Sequence, residues 1–322
     1  MKLGIVGTGK IVHQALDALN DVQNIEVVSI CSGPHNPHAA VQIAGQYRIP
    51  GVYSDYDQFL QDPENSAELI YIAVVNSAHY SYARKALEAG RHVFLEKPSV
   101  TSRAEWDDLA QIAREKDLYL SEALTPWHSE IFAKMQEILP ALGPIHLVQC
   151  NYSQYSSRYD AYLKGEVLPA FDPALQGGSL MDLNVYNLSF LVGLFGSPDK
   201  MTYYPNRGFN GVDTSGTAVL QYPAFTATAS AAKDSASPGF ILIQGEKGWL
   251  RGLGSPNDLT SLEICLNGEV RSFIPQPCRH RMTPEFRDMA RMITKDQKEE
   301  MLHLMECSGI LVSVLEEGRK IL

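Results

Sequence analysis

Three short stretches of the chain carry residue types that could do chemistry together. Glu96-Lys97-Pro98 follows the apolar run His92 to Leu95, Asp182 and Tyr186 stand four residues apart after Gly177-Gly178, and Gly7-Thr8-Gly9 follows Leu3 to Val6. A lysine at the carboxyl end of a buried strand can stabilise a developing alkoxide and lower the pKa of a neighbouring acid. A tyrosine, with an ordinary pKa near ~10, is a poor acid–base on its own. Beside a lysine cation it is better matched to exchanging a proton with a carbinol or carbonyl oxygen. Asp182 shares a helical face with Tyr186 and suits either a substrate hydroxyl or the lysine. Gly7 permits a tight turn, and Gly9 lets the backbone approach a pyrophosphate, which the amides and dipole of the following helix stabilise. Each residue also has an ordinary reading: Lys97 as an exposed loop lysine, Tyr186 as filling of a domain interface, and the glycines as a plain strand–helix turn, with Val12 where a third glycine is usual. The place of the glycines within an alternating pattern favours the nucleotide reading.

That pattern is clear over the first third. Strand signals at Leu3–Val6, Ile25–Cys31, Leu69–Val75, His92–Leu95 and Leu118–Leu120 alternate with helical periodicity at Lys10–Leu19, Pro37–Tyr47, Ala78–Ala89 and Arg103–Lys116. Strands apolar on both faces, separated by helices, predict an α/β fold: a doubly wound parallel sheet over residues 1–122. The remainder, 123–322, has another rhythm. A helix from Ser129 to Leu139 and a strand from Ile145 to Tyr152 lead to a loop with Tyr155, Tyr159 and Tyr162, then to a helix over Ser179–Phe195. Six Ser/Thr/Gly-rich strand signals run from Thr214 to Ile274, with Asn267-Gly268 marking a hairpin. Helices at Pro284–Ile293 and Lys298–Lys320 close the chain. This predicts an α+β domain built on an open, largely antiparallel sheet.

Composition narrows the function. The 322 residues contain 27 Lys+Arg against 37 Asp+Glu, a net charge of -10, and 45% are hydrophobic. Acidity argues against non-specific nucleic-acid binding and against a polybasic membrane contact. No uncharged apolar run approaches the ~18 residues that span a bilayer. The chain enters its first strand at once, so no signal peptide is expected and a cytoplasmic setting is. The five cysteines are widely spaced, with no C-x-x-C pair, and suggest no disulfide framework. His35 with His38, and Cys278 with His280, lack a second pair at metal-ligand spacing, so no metal is expected.

The end of the second strand bears on the choice of cofactor. It reads Ile30-Cys31-Ser32-Gly33-Pro34-His35, without the carboxylate that repels an adenosine 2′-phosphate. No arginine is present either; Ser32, His35, Asn36 and His38 remain to approach a phosphate. The missing carboxylate inclines the expected cofactor to NADP over NAD.

Taken together, Gly7-Thr8-Gly9-Lys10-Ile11, Ala73 through Asn76 to His79, Ala89-Gly90-Arg91-His92-Val93, Glu96-Lys97-Pro98 and Gly177-Gly178-Ser179-Leu180-Met181-Asp182-Leu183 resemble the Gfo/Idh/MocA oxidoreductases over essentially the whole length. The resemblance implies a Rossmann domain, a second domain whose open sheet forms homodimers or higher homo-oligomers, and hydride transfer between NAD(P) and a sugar, polyol or related diol. It implies cofactor contacts at Gly7, Thr8, Gly9, Lys10, Ile11, Ser32, Ala73, Val74, Asn76, His79, Glu96, Lys97 and Pro98. It also implies catalysis by Lys97 with Tyr186, Asp182 orienting the substrate. Tyr186 stands where many members have His, which resembles the branch of dihydrodiol and D-xylose dehydrogenases. Asn184 replaces an expected Gly, which would tighten the site; Gly33 replaces an Arg, and Val74-Val75 a small residue–Pro pair. Ser156, Arg158 and Tyr159 read equally as substrate contacts or as surface loop. The same fold also suits two other functions: a non-catalytic NAD(P)-binding sensor, and an NAD-dependent glycoside hydrolase.

Overall fold

Leu3, Ile5, Val6, Ile30, Leu69, Ile72, Val93 and Leu95 are all inaccessible to solvent, as strands covered on both faces must be. In the computed structural model, which describes residues 1–33 and 36–322, they lie in one parallel sheet. Its strands are β1 (Lys2–Val6), β2 (Glu26–Cys31), β3 (Gly51–Tyr53), β4 (Leu69–Ile72), β5 (His92–Glu96) and β6 (Leu120–Ala123). The order is β3-β2-β1-β4-β5-β6, and every neighbouring pair runs parallel. The direction of winding reverses between β1 and β4, and open α/β sheets bind ligands beyond the carboxyl ends of the strands at such a point. β3 and the helix Tyr56–Gln61 are additions to the sequence reading. A three-residue strand whose Val52 is exposed leaves no apolar run to detect.

The chain forms two compact units, Met1–Ala123 with Cys278–Gly309, and Leu124–Pro277 with Ile310–Leu322. The sequence reading placed one cut near residue 122; the units interleave instead. Phe286, on the helix Thr283–Thr294, explains why residues 278–309 belong with the first. Its ring meets Tyr71 of β4 at 5.2 Å and Phe94 of β5 at 5.3 Å, both edge-on. Thr283 Oγ1 donates to the Ala18 carbonyl, and the Trp106 indole to that of Met305.

The second unit holds an eight-stranded sheet: β7 (Ile145–Ser153), β8 (Lys200–Arg207), β9 (Asp213–Gln221), β10 (Thr226–Ala232), β11 (Phe240–Gly245), β12 (Gly248–Ser255), β13 (Asp258–Leu266) and β14 (Glu269–Phe273). The order is β14-β13-β12-β11-β7-β10-β9-β8. Only β7 and β10 pair in parallel; the other neighbours are antiparallel. Asn267 and Gly268 turn β13 into β14 with φ of 51° and 85°, the left-handed pair that a two-residue hairpin requires. β8 escaped the sequence reading because it is an edge strand, polar and carrying Pro205, which only an edge tolerates. One face alternates inward through Val148, Cys150 and Tyr152, Ala227, Ala229 and Ala231, and Ile241 and Ile243. The helix Val185–Phe195, buried throughout residues 185–192, accounts for much of this core. Among the described residues no helix is long and apolar enough to cross a membrane.

Candidate active site

The glycine turn lies at the reversal of winding. Gly7 has φ +122°, and a Cβ there would stand 2.2 Å from the Ala73 carbonyl oxygen, so only glycine fits between β1 and the end of β4. Its amide donates to the Cys31 carbonyl at 2.9 Å. Gly9 caps the helix Lys10–Leu19 with extended backbone and no side-chain hydrogen bond to the first turn. A Cβ on Gly9 would meet nothing within 4 Å. An uncapped helix N-terminus with open space above its capping glycine is the cradle that a pyrophosphate needs. The residues fit the nicotinamide dinucleotide that the sequence suggests. Val12, in place of a third glycine, is fully buried in the core. Ser32 is buried at the end of β2, its hydroxyl 3.5 Å from the Tyr53 carbonyl. With Asp55, Tyr56, Asp57, Tyr82 and Lys85 it lines a cavity of about 230 Å³, where the Lys85 ammonium donates to Asp57 Oδ1 at 2.7 Å. His35 lies outside the described residues.

Lys97 is half-buried, one residue beyond β5. Glu96 turns inward beneath it. The Tyr71 hydroxyl donates to Glu96 Oε1 at 2.5 Å, and the Lys97 amide to Oε2 at 3.1 Å. Burial raises the pKa of Glu96, against the lowering effect of Tyr71 and Lys97. His79 is fully buried. Its Nδ1 lies 2.9 Å from the Pro98 carbonyl and its Nε2 3.2 Å from that of Val74, and burial keeps its pKa below the usual imidazole value. Both neighbours are carbonyl oxygens, so the neutral ring donates to one of them and packs against the other, between the loops after β4 and β5. Ser99 donates its amide to Glu122 Oε1 at 2.8 Å, fixing the far side of the Lys97 loop to β6.

Asp182 and Tyr186 belong to the second unit. The helix expected from Ser179 opens instead with a wide π turn over Leu180–Asn184, then continues as α-helix from Val185. Such turns concentrate at functional sites. Asp182 lies within it, and Tyr186, 6% exposed, follows in the first α turn, its ring 5.8 Å from that of Tyr152. Asn184 is completely buried and donates to the Ala229 carbonyl at 2.9 Å, and Asn187 to that of Ser230. Asn184 therefore pins the turn to β10 rather than narrowing a cavity. Sequence reasoning missed Lys233, immediately after β10, whose ammonium donates to Asp182 Oδ2 at 2.9 Å. It missed Asp213 as well, which accepts from the Leu180 amide and the Tyr203 hydroxyl, both at 2.6 Å. A Cβ on Gly178, φ +113°, would fall 2.0 Å from Asp213 Oδ1, which explains the second glycine of the Gly177-Gly178 pair.

A parallel sheet wound as above, with a glycine-only turn at its reversal point, defines a dinucleotide-binding unit. Residues 1–124 match the model of the GFO/IDH/MocA oxidoreductase family, NAD-binding Rossmann fold, and residues 132–251 that of the GFO/IDH/MocA C-terminal domain. The chain belongs to this family. It is 29% identical over 322 residues to the scyllo-inositol 2-dehydrogenase (NADP+) IolU of Bacillus subtilis, covering 99% of this chain and 96% of that one. It is 27% identical over 338 residues to the trans-1,2-dihydrobenzene-1,2-diol dehydrogenase of Mus musculus, with the same coverage. Among solved structures, KijD10, a 3-ketoreductase from Actinomadura kijaniata in complex with NADP and TDP-benzene, shares the fold with a TM-score of 0.85 at 20% identity, covering 99% of this chain and 97% of that one.

Proposed function

We propose that the chain moves a hydride between NADP and a ring carbon bearing a hydroxyl or carbonyl group, on a cyclic polyol, sugar or cyclic diol. The observation that carries this reading is the position of Lys97, one residue past β5, at the sheet edge where the Gly7–Gly9 turn opens. When bound, the nicotinamide supplies or accepts the hydride. Gly9 and the first-turn amides of Lys10 and Ile11 would hold the pyrophosphate of the dinucleotide. Lys97 stabilises charge developing on the substrate oxygen, Tyr186 exchanges the proton with that oxygen, and Asp182 accepts a hydrogen bond from a neighbouring substrate hydroxyl. The choice of NADP is supported by the cofactor named for the Bacillus relative and by the lack of a carboxylate directly after β2, at Ser32-Gly33, with Lys85 facing Asp55 and Asp57 across the cavity beside them.

The same proposal places the protein in the cytoplasm, as a homo-oligomer formed through the open face of the eight-stranded sheet. Leu242 and Trp249 are only half-buried on that face, while Ile241, Ile243 and Leu250 fill the other. The test is reduction of NADP+ followed with scyllo-inositol, myo-inositol, D-glucose and D-xylose. Lys97→Met and Tyr186→Phe each lower turnover of the accepted substrate by about 10²–10⁴-fold; full turnover in both variants refutes the assignment.

A further inference from the structure

Lys233 has no part in the chemistry just described, yet its surroundings are built. Its amide donates to the Thr214 carbonyl and its own carbonyl accepts from the Ser156 amide, both at 2.8 Å, so the backbone is held on both sides. Its ammonium donates to the Ala170 carbonyl at 2.7 Å and to Asp182 Oδ2 at 2.9 Å, and lies 4.7 Å from the centre of the Phe171 ring. The side chain of Lys233 is 3% exposed and that of Asp182 is 39% exposed. The lysine therefore stands behind the aspartate, shielded from solvent, while the aspartate faces outward.

We infer that Lys233 is a positioning residue that keeps Asp182 an ionised, fixed hydrogen-bond acceptor, and that it fastens the loop through Ala170 and Phe171 to the same point. This rests on the proposed role of Asp182 as the group that receives a substrate hydroxyl. A buried ammonium requires an anionic partner, and protonating Asp182 would remove the ion pair. Asp213 is the other carboxyl close enough to be influenced by Lys233, but burial holds its pKa up at about 6. Its Oδ2 is already engaged by Leu180 and Tyr203. Asp234, the next residue, is taken up by the hydroxyls of Thr214 and Ser215. Asp182 is thus the partner of Lys233 that reaches solvent. As an acceptor without a proton to donate, it selects substrates that offer a hydroxyl at that position over deoxy or ether analogues.

The experiment reads the Asp182 carboxyl directly, by carbon NMR on aspartate-labelled protein, with Asp182→Asn assigning the signal and Asp213→Asn identifying the other buried carboxyl. The midpoint of Asp182 in the unaltered protein serves as the reference. In Lys233→Met its midpoint rises by about 1–3 units, and in Lys233→Arg it stays at the reference. NADPH affinity, measured in the same variants, changes by less than about twofold, while KM for scyllo-inositol rises about tenfold in Lys233→Met. A midpoint that does not move in folded Lys233→Met overturns the inference. If Lys233→Met does not fold, a midpoint in Lys233→Arg raised above the reference overturns it instead. Absence of turnover with every polyol defeats the proposed function alone, because the titration needs no substrate.

Discussion

The ring of His79 fastens the carbonyl of Pro98, at 2.9 Å from Nδ1, to the start of the helix that follows β4. Because Nε2 also meets the Val74 carbonyl, one buried imidazole sets the spacing of two loops at the sheet edge, the second of which carries Lys97. His79→Leu keeps most of the volume and removes both contacts. The expected result is a folded protein whose kcat falls by about tenfold or more, since small misplacements of a catalytic group are costly. An unchanged kcat in the folded variant contradicts the bracing role.

The two glycines of the first turn make opposite demands. Gly7→Ala forces a Cβ against the Ala73 carbonyl at a backbone angle that L-residues rarely adopt, so the variant loses stability and cofactor binding together. Gly9→Ala meets nothing in the protein. Its melting temperature should match the parent, while NADPH affinity drops by about tenfold or more as the methyl group enters the space above the helix N-terminus. Equal affinity in Gly9→Ala would show that the pyrophosphate binds elsewhere.

Phe286 predicts where stability resides. Fully buried between Tyr71 and Phe94, it ties residues 278–309 to the parallel sheet. Phe286→Ala should cost about 3–5 kcal/mol in denaturant unfolding. A loss below 1 kcal/mol, on the same scale, would mean that this segment contributes little to the first unit.

Glu122 gives a pH signature. Burial pushes its carboxyl up to about 7, above an ordinary glutamate value near ~4.3. Between those pH values the folded chain retains a proton that the unfolded chain has released, so this group's contribution is complete below the lower value and lost as pH rises through the upper one. His79 has the opposite sign: its pKa is depressed in the fold, and its contribution is lost as pH falls below ~6.5. Comparing Glu122→Gln with the parent isolates the first effect. Thermal melts between pH 4.5 and 7 should show the variant gaining on the parent as pH rises, by up to about 3 kcal/mol. A difference independent of pH would place a charged Glu122 in the fold.

Much of this was legible in the sequence because burial on both faces leaves continuous apolar runs. β1, β2, β4 and β5 appear as such runs, and Glu96-Lys97-Pro98 could be set at a strand end. The G-x-G turn was readable for the same reason: its meaning depends on the strand before it and the helix after it. What escaped depends on partners distant in sequence. The apolar face of the helix Thr283–Thr294 was visible, but nothing in it names Tyr71 and Phe94 as what it covers. Lys233 looks like an ordinary surface lysine until Asp182, 51 residues away, is brought to it. A signal existed, since Lys233 directly follows a strand of small residues, Ala227, Ala229, Ala231 and Ala232, that permits close packing. Asn184 read as a departure from a glycine, and only the sheet beneath it reveals a hydrogen-bonding duty to Ala229.

The central claim is that the Gly7–Gly9 turn and the Lys97 edge form a working nicotinamide dinucleotide site. Calorimetric titration of the purified protein with NADPH and with NADH, at one fixed salt concentration, tests it most directly. The expected result is saturable binding of one cofactor per chain, tighter for NADPH than for NADH. Tighter binding of NADH would reverse the cofactor preference and leave the site intact. Binding of neither would contradict the oxidoreductase assignment itself.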